Sequence, residues 1–213
     1  MIIQAMKTLV IMTLLLGLMI VSSTQRGLLV TSEKKVGGIS LNVCLQKLNR
    51  KTTMAINSFH LRTCVIRPVL KDLGLWSPVA ENLLLGTAAQ ESHMGTYLDQ
   101  ANPTIEGPAF GIFQIEKDTH DDIWENYLAY NEDYARVVRR YSLPTFSYRQ
   151  LAGNLYYAVA IARIHYRRVK EPLPSSPTDV KALARYWKRF YNTPLGKGTV
   201  EEFELNYKEF VNL

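Results

Sequence analysis

The sequence has few cysteines and no long apolar segment. Its 213 residues include only two cysteines, Cys44 and Cys64, and neither has histidines or cysteines nearby at metal-ligand spacing. We therefore expect neither a metal site nor a cofactor. Nothing in the spacing brings the two thiols together, so a disulfide and two separate thiols both remain open. The longest apolar run, Thr8 to Val21, is shorter than the roughly 20 residues of a transmembrane helix, so no stable membrane span is expected.

The N-terminal part of the chain differs from the rest. Lys7, the apolar run and the small residues after it are typical of a secretory signal peptide over residues 1–25, with an uncleaved anchor as the less favoured alternative. Residues 26–56 are polar, basic and weakly patterned, and are predicted to be poorly ordered. Because regular patterning begins only after Met54, a start at that methionine, with the preceding residues an over-extended reading frame, explains the sequence equally well.

Internal repeats, low-complexity tracts and strand-rich stretches are also missing from the sequence, and residues 57–213 are predicted to form one mainly α domain. The first helix covers 59–73, kinked or divided by Pro68 and stopped by Gly74. Ser77 and Pro78 open the second helix, which is apolar nearly all round and is therefore predicted to be central and buried. Residues 94–113 are predicted to be a loop with space for a short hairpin. Later helices are predicted from Asp118 or Thr119, from Ser147 through Ile164, from Thr178 through Phe190, and from a capping box at Thr199 and Glu202.

The charge of the chain is moderately basic. Its formal net charge is +6 and its pI is near 9.3, which suits nucleic acid, anionic lipid or acidic polymers of a bacterial envelope. The basic residues are dispersed and no nucleic-acid-binding motif accompanies them, so a nucleic-acid partner is not expected.

Glu91 and Ser92, at the end of the predicted buried helix, form the first candidate site. Burial and the negative end of the helix dipole both disfavour an ionised carboxylate there, so the pKa of Glu91 should be raised, as a general acid requires. By position alone, a glutamate that emerges into solvent where the helix ends is the simpler interpretation.

Two other stretches combine unusual residue types. Residues 107–115 read GPAFGIFQI, in which glycines and apolar residues surround Gln114. Residues 186–192 read YWKRFYN and place aromatic rings beside the amide of Asn192, a combination that suits sugar rings. Taken separately, each stretch is better explained by core packing.

Taken together, these three stretches resemble the lytic transglycosylase and goose-type lysozyme superfamily. The resemblance covers about residues 57–210. Within it, the sequence from Phe59 to Tyr127, including ENLLLGTAAQES and GIFQI, is similar to transglycosylase-like proteins of tailed bacteriophages and prophages. It implies a lysozyme-like helical domain with a loop or short hairpin after the catalytic helix.

The resemblance also implies roles for individual residues. Glu91 matches the single catalytic acid/base of the family, and Ser92 would help to position it or the substrate. The substrate-binding residues would be Gly111, Phe113 and Gln114, which line the glycan groove, together with Tyr191 and Asn192. The sequence departs from the family pattern at Phe113, where methionine is common, and at Thr193-Pro194, where Ala-Gly is common, which weakens the assignment of the Tyr-Asn pair.

The implied activity is cleavage of the β-1,4 bond between N-acetylmuramic acid and N-acetylglucosamine in peptidoglycan, by a lytic transglycosylase that leaves 1,6-anhydromuramoyl ends. One alternative is a hydrolytic muramidase, for which the downstream carboxylates Asp99, Glu106, Glu116, Asp118, Asp121 and Asp122 are candidate partners. Another is a non-catalytic, glycan-binding virion protein of the same fold. Expected partners are peptidoglycan strands and other phage virion proteins, and the expected location is a virion, or the periplasm or cell wall after export as an endolysin.

Overall fold

The computed structural model describes residues 35–36, 39–40, 55–98, 108–144, 147–193 and 196–211. The chain divides into two units, Met1–Lys51 and Thr52–Leu213. In the first unit, strands β1 (Lys35–Val36) and β2 (Ile39–Ser40) pair antiparallel, inside the segment for which the sequence predicts poor order. The predicted signal peptide and Cys44 lie outside the described residues. Cys64 is exposed on the first helix.

The second unit is mainly helical, as the sequence predicts. Its described helices are α1 (Ser58–His60, the π-helical Leu61–Ile66 and Arg67–Asp72, in direct succession), α2 (Pro78–Ser92), α3 (Lys117–Asn126), α4 (Glu132–Tyr141), α5 (Gln150–Gly153), α6 (Leu155–Arg167), α7 (Val180–Trp187, continued by the π-helical Lys188–Asn192) and α8 (Val200–Phe210). A 3-10 turn covers Leu128–Tyr130, and strands β3 (Ala109–Phe110) and β4 (Ile115–Glu116) form an antiparallel hairpin. Among the described helices, none has both the length and the apolar composition needed to cross a membrane.

The first helix accommodates Pro68 without a break. Proline lacks an N–H and its ring clashes with the carbonyl four residues earlier. The turn before it, Leu61–Ile66, widens to a π-helix, in which the N–H of Arg67 bonds to the carbonyl of Arg62. Gly74, with φ of +66°, then ends the helix as predicted, and the N–H of Leu75 reaches back to the carbonyl of Leu70.

The second helix, α2, is the buried centre of the unit. Ser77 caps it by accepting a hydrogen bond from the N–H of Ala80, and Pro78 occupies the first turn. Helices α1, α6, α7 and α8 all pack against it. Gly86 allows α8 to approach closely, because a Cβ at this position would lie only 2.2 Å from Cζ of Phe203.

A buried carboxylate ties α1 to the start of α2. Glu81 is only 2% exposed and accepts hydrogen bonds from Arg67 at 2.6 and 3.0 Å, from Arg62 at 3.2 Å and from the indole of Trp76 at 2.7 Å. Burial opposes the charged form, but these hydrogen bonds outweigh it and hold the pKa of the Glu81 carboxyl below its ordinary value. This cluster fastens α1 to the first turn of α2.

Several predicted helix boundaries are wrong. The third helix begins at Lys117, so Asp118 lies in its first turn instead of capping it. The long helix predicted from Ser147 is divided at Asn154, whose side chain caps α6 by accepting from the N–H of Tyr157. Asp179, not Thr178, caps α7. The capping box at the start of α8 is confirmed in both of its hydrogen bonds.

Candidate active site

Glu91 lies in the last turn of α2 with its carboxyl group partly buried. The indole N–H of Trp187, at the end of α7, donates a hydrogen bond to Oε1 of Glu91 at 2.8 Å. Burial raises the pKa of the Glu91 carboxyl to about 7, while the hydrogen bond from Trp187 acts in the opposite direction. Near neutral pH the group is therefore divided between its acid and base forms, as an acid/base catalyst requires.

Two tyrosines, the buried Tyr166 and the half-buried Tyr191, lie beside this carboxyl. Burial, and the negative charge of Glu91, raise the pKa of Tyr191 well above its ordinary value. Tyr166 shows the same rise, mainly through burial, with its hydroxyl bonded to that of Thr87 at 2.8 Å. The rings of the two tyrosines lie 5.2 Å apart, and both hydroxyl groups stay neutral next to the glutamate.

Tyr191 links the α7 side of the site to the turn between β3 and β4. Its hydroxyl donates to the carbonyl of Phe113 at 2.7 Å. The structure thus brings together Glu91, Tyr191 and the turn 111–114, which are far apart in the sequence and which the sequence analysis assigns to one site. The aromatic ring of Phe113 is completely buried, so this residue contributes its backbone to the site.

Ser92 is committed to contacts within the protein. Its side chain is buried and its hydroxyl bonds the carbonyls of Ala88 at 3.1 Å and Ile112 at 2.7 Å, while accepting from the N–H of Gly95 at 2.9 Å. These bonds fasten the end of α2 to the β3–β4 turn. Its geometry therefore suits a positioning role and leaves no free face for a sugar.

Gly111 and Gln114 shape the turn itself. Gly111 has φ of +75°, and a Cβ there would lie 1.8 Å from the carbonyl oxygen of Leu151, so only glycine fits. Gln114 is partly exposed with φ of +45°, and its Nε2 donates to the carbonyl of Gly111 at 2.8 Å. Among the described residues, no group bonds its Oε1, so that oxygen is available to a ligand.

Asn192 lies at the end of the π-helical turn after α7. Its Oδ1 accepts from Nζ of Lys188 at 2.7 Å, and the same ammonium bonds the carbonyl of Gly196 at 2.8 Å. Gly198 packs against the Trp187 ring and the amides of Asn192 and Gln90. The side chain of Asn192 thus lies near Trp187, the residue that bonds Glu91, and does not contact the Glu91 carboxyl itself.

Trp187 was not predicted as the hydrogen-bond partner of Glu91, because the sequence places it in an aromatic stretch that suits sugar rings, with a grouping among core aromatics as the alternative. Its ring is completely buried, so that grouping is correct for the ring and incomplete for the N–H. The available signal was spacing: Trp187 precedes Tyr191 by four residues, which places both on one helix face. Lys188, the partner of Asn192, gave no signal because lysines are common on helix surfaces.

Those downstream carboxylates that the structure describes do not affect the pKa of Glu91. Asp121 bonds to Lys117 and to His120, and Asp122 pairs with Arg168. Among the described residues, Trp187 is the side chain that shifts the pKa of Glu91 besides the effect of burial, so neither these aspartates nor Glu116 and Asp118 contribute. Asp99 and Glu106 lie outside the described residues. Within the described part of the chain, no group of histidine, cysteine, aspartate and glutamate side chains could hold a metal ion.

The arrangement is that of one titratable acid, partly buried, held by an indole and bordered by neutral hydroxyls and amides. Comparison of the chain with protein-family models, with curated proteins and with solved structures found no match.

Proposed function

We propose that this protein is a lysozyme-like enzyme that cleaves peptidoglycan glycan strands, with Glu91 as its single acid/base. The observation that carries the proposal is the Glu91 carboxyl, with a pKa of about 7 and an indole N–H at 2.8 Å to fix its orientation. The central α2 helix, followed by the β3–β4 hairpin, supports the lysozyme-like arrangement that the resemblance implies.

In the proposed reaction, protonated Glu91 donates its proton to the oxygen of the β-1,4 bond. As the bond between this oxygen and the anomeric carbon breaks, positive charge develops on the muramoyl ring next to the new carboxylate. Glu91 then accepts the proton of the muramoyl C6 hydroxyl while that oxygen bonds to the anomeric carbon. The product is a 1,6-anhydromuramoyl end, no water is consumed, and the glutamate returns to its acid form.

The surrounding residues have proposed supporting roles. The Oε1 of Gln114 would accept a hydrogen bond from an acetamido N–H of the substrate, since no group of the described residues bonds it and the turn that carries it contacts Tyr191. Asn192 and Tyr191 would border the glycan near the cleaved bond. Because the proposed substrate is peptidoglycan, the protein would act at the bacterial wall, which it would reach as a virion component or by export.

The test is mass spectrometry of muropeptides released from purified peptidoglycan. We expect the wild-type protein to release anhydromuramoyl ends, Glu91→Gln to release none, and Glu209→Gln, at an exposed glutamate on α8, to behave like the wild type. Reducing muramoyl ends would show hydrolysis and overturn the transglycosylase step. Absence of any release by the wild-type protein, with glycan binding retained, would show a binding protein instead of an enzyme.

A further inference from the structure

Arg163 lies in α6 among apolar residues and is only 7% exposed. Its Nε is buried and has no hydrogen-bond partner within the part of the chain that the structure describes. Among the described residues, no carboxylate forms an ion pair with its guanidinium. Burial lowers the pKa of Arg163, although an arginine stays charged at any physiological pH.

A cavity of about 230 Å³ opens against this guanidinium. Two further cations, Arg167 and Lys170, line it, and both are exposed at its rim. The carboxylate of the lining residue Glu171 is paired with Arg189, outside the cavity lining, at 3.2 Å. Three cationic residues thus line one small space, and the carboxylate of Glu171 is engaged by Arg189. Nε of Arg167 also donates to the hydroxyl of Tyr134, outside the lining, at 3.4 Å.

The walls of the cavity restrict what can enter. The hydroxyl of Tyr186 donates to the carbonyl of Glu171 at 2.9 Å, and that of Tyr166 is bonded to Thr87. Leu75 and Leu173 supply apolar surface. The volume is below the range of about 300–1,000 Å³ typical of drug-sized ligands, so a compact ligand fits best.

A buried guanidinium without an acceptor is energetically costly, because desolvation of a charge is offset only by pairing and hydrogen bonding. The planar fork of arginine matches the oxygens of a carboxylate or a phosphate group, which can accept two hydrogen bonds at once. We propose that this cavity is a binding site for a small oxyanion, held by Arg163 at its base and by Arg167 and Lys170 at its rim. Tyr166 borders both this cavity and the candidate active site, but the three cations are not among the residues assigned to glycan cleavage, and the proposal does not depend on that activity.

The binding experiment is isothermal titration calorimetry of the full chain with inorganic phosphate and, separately, with acetate. Ionic strength is kept constant with chloride, so that general screening is the same throughout. We expect saturable binding of at least one of the two oxyanions. Stronger binding of phosphate would identify phosphoryl groups as the natural ligand, and stronger binding of acetate would identify carboxylates.

Variants separate the site from general surface charge. Arg167→Gln with Lys170→Gln should weaken binding by about tenfold or more, because two charge-assisted contacts are lost. The charge-matched pair Lys181→Gln with Lys208→Gln, both exposed and outside the cavity lining, should leave the affinity unchanged. Equal affinity in the two double variants would overturn the proposal.

Arg163→Met tests the base of the cavity directly. Because no group of the described residues bonds Nε of Arg163, replacing the cation by an apolar side chain should preserve the fold and should not lower the melting temperature, while oxyanion binding is lost. Retained binding in a folded Arg163→Met protein would contradict the proposal. A folded wild-type protein that binds neither phosphate nor acetate would also refute it.

Discussion

Glu91 is subject to two opposing effects: burial favours its neutral form and the Trp187 indole favours its charged form. Trp187→Phe keeps the ring in the core and removes only the N–H donor. We therefore expect the pKa of Glu91 to rise above about 7 and the alkaline limb of the cleavage profile to move to higher pH. Carbon NMR titration of the Glu91 carboxyl measures the shift independently of activity.

The matched control for this variant is Trp124→Phe, which removes a different indole hydrogen bond, the one to the hydroxyl of Tyr157 at 2.9 Å. The pKa of Glu91 should stay unchanged in this control. An unchanged or lower pKa in Trp187→Phe would show that the indole does not stabilise the carboxylate.

The raised pKa of Glu91 also predicts how stability depends on pH. Between its ordinary value of 4.5 and about 7, the native state binds the proton more tightly than the unfolded state, so stability falls as pH rises through this range. The full shift corresponds to about 3 kcal/mol above pH 8. Glu91→Gln, which cannot ionise, should therefore match the wild type near pH 4 and be more stable at pH 8.5, by up to this amount, in urea denaturation. Equal stabilities at both pH values would contradict the raised pKa.

At the scale of single residues, the sequence pointed to Glu91 and to the burial of its carboxyl group, but it did not predict the hydrogen-bond partner of that group. An apolar helix ending in Glu-Ser showed that the acid could be buried, but a solvent-exposed glutamate was the simpler interpretation by position, and the family resemblance decided for the buried acid. Trp187 is 96 positions away, and nothing local distinguishes an indole whose N–H reaches a carboxylate from one that only fills the core. Ser92 shows the same limit, since its bond to Ile112 depends on where the hairpin packs.

At the scale of elements, the contact between α2 and α8 depends on Gly86. Its missing side chain admits the ring of Phe203, so Gly86→Ala forces either the ring or the helix to move. We expect a loss of about 1–3 kcal/mol in the free energy of unfolding, measured by urea denaturation.

A second variant shows whether the steric contact is the cause. Phe203→Leu shortens the opposing side chain and should cost about 1–2 kcal/mol alone, since Phe203 is completely buried. In the double variant, the loss of unfolding free energy should be smaller than the sum of the two single losses, because the smaller leucine gives space to the new methyl group. Strict additivity would mean that Gly86→Ala acts through the backbone and not through Phe203.

The sequence predicted the existence of most helices better than it predicted the residues at which they begin and end. Apolar periodicity predicted α1, α2, α6 and α7, because a buried face must repeat every three to four residues. It could not show that a π-helical turn would absorb Pro68, or that Asn154 would cap a new helix within what reads as one periodic run. Helix α4 was not predicted, since Ala135 and Val138 are its only buried residues and its other positions are mostly charged or polar.

At the scale of the whole molecule, the buried hydrophobic cluster of the described residues runs from Leu61 to Val211 and lies entirely within the unit Thr52–Leu213. The residues of the candidate site, from Glu91 to Asn192, lie in the same unit. A core that is complete within one unit should fold without residues outside it. This expectation fits either interpretation of the N-terminus, a cleaved signal peptide or a start at Met54.

We therefore expect a fragment of residues 52–213 to unfold in one cooperative transition, with a melting temperature close to that of the full chain. If the proposed activity is correct, the fragment should also release the same muropeptides at a similar rate, since α2, the hairpin and α7 supply all of the assigned groups. Calorimetry and the muropeptide assay measure the two expectations separately. A fragment that folds but no longer cleaves would place a required residue before position 52, whereas a fragment that does not fold would show that the core of Thr52–Leu213 needs support from the preceding residues.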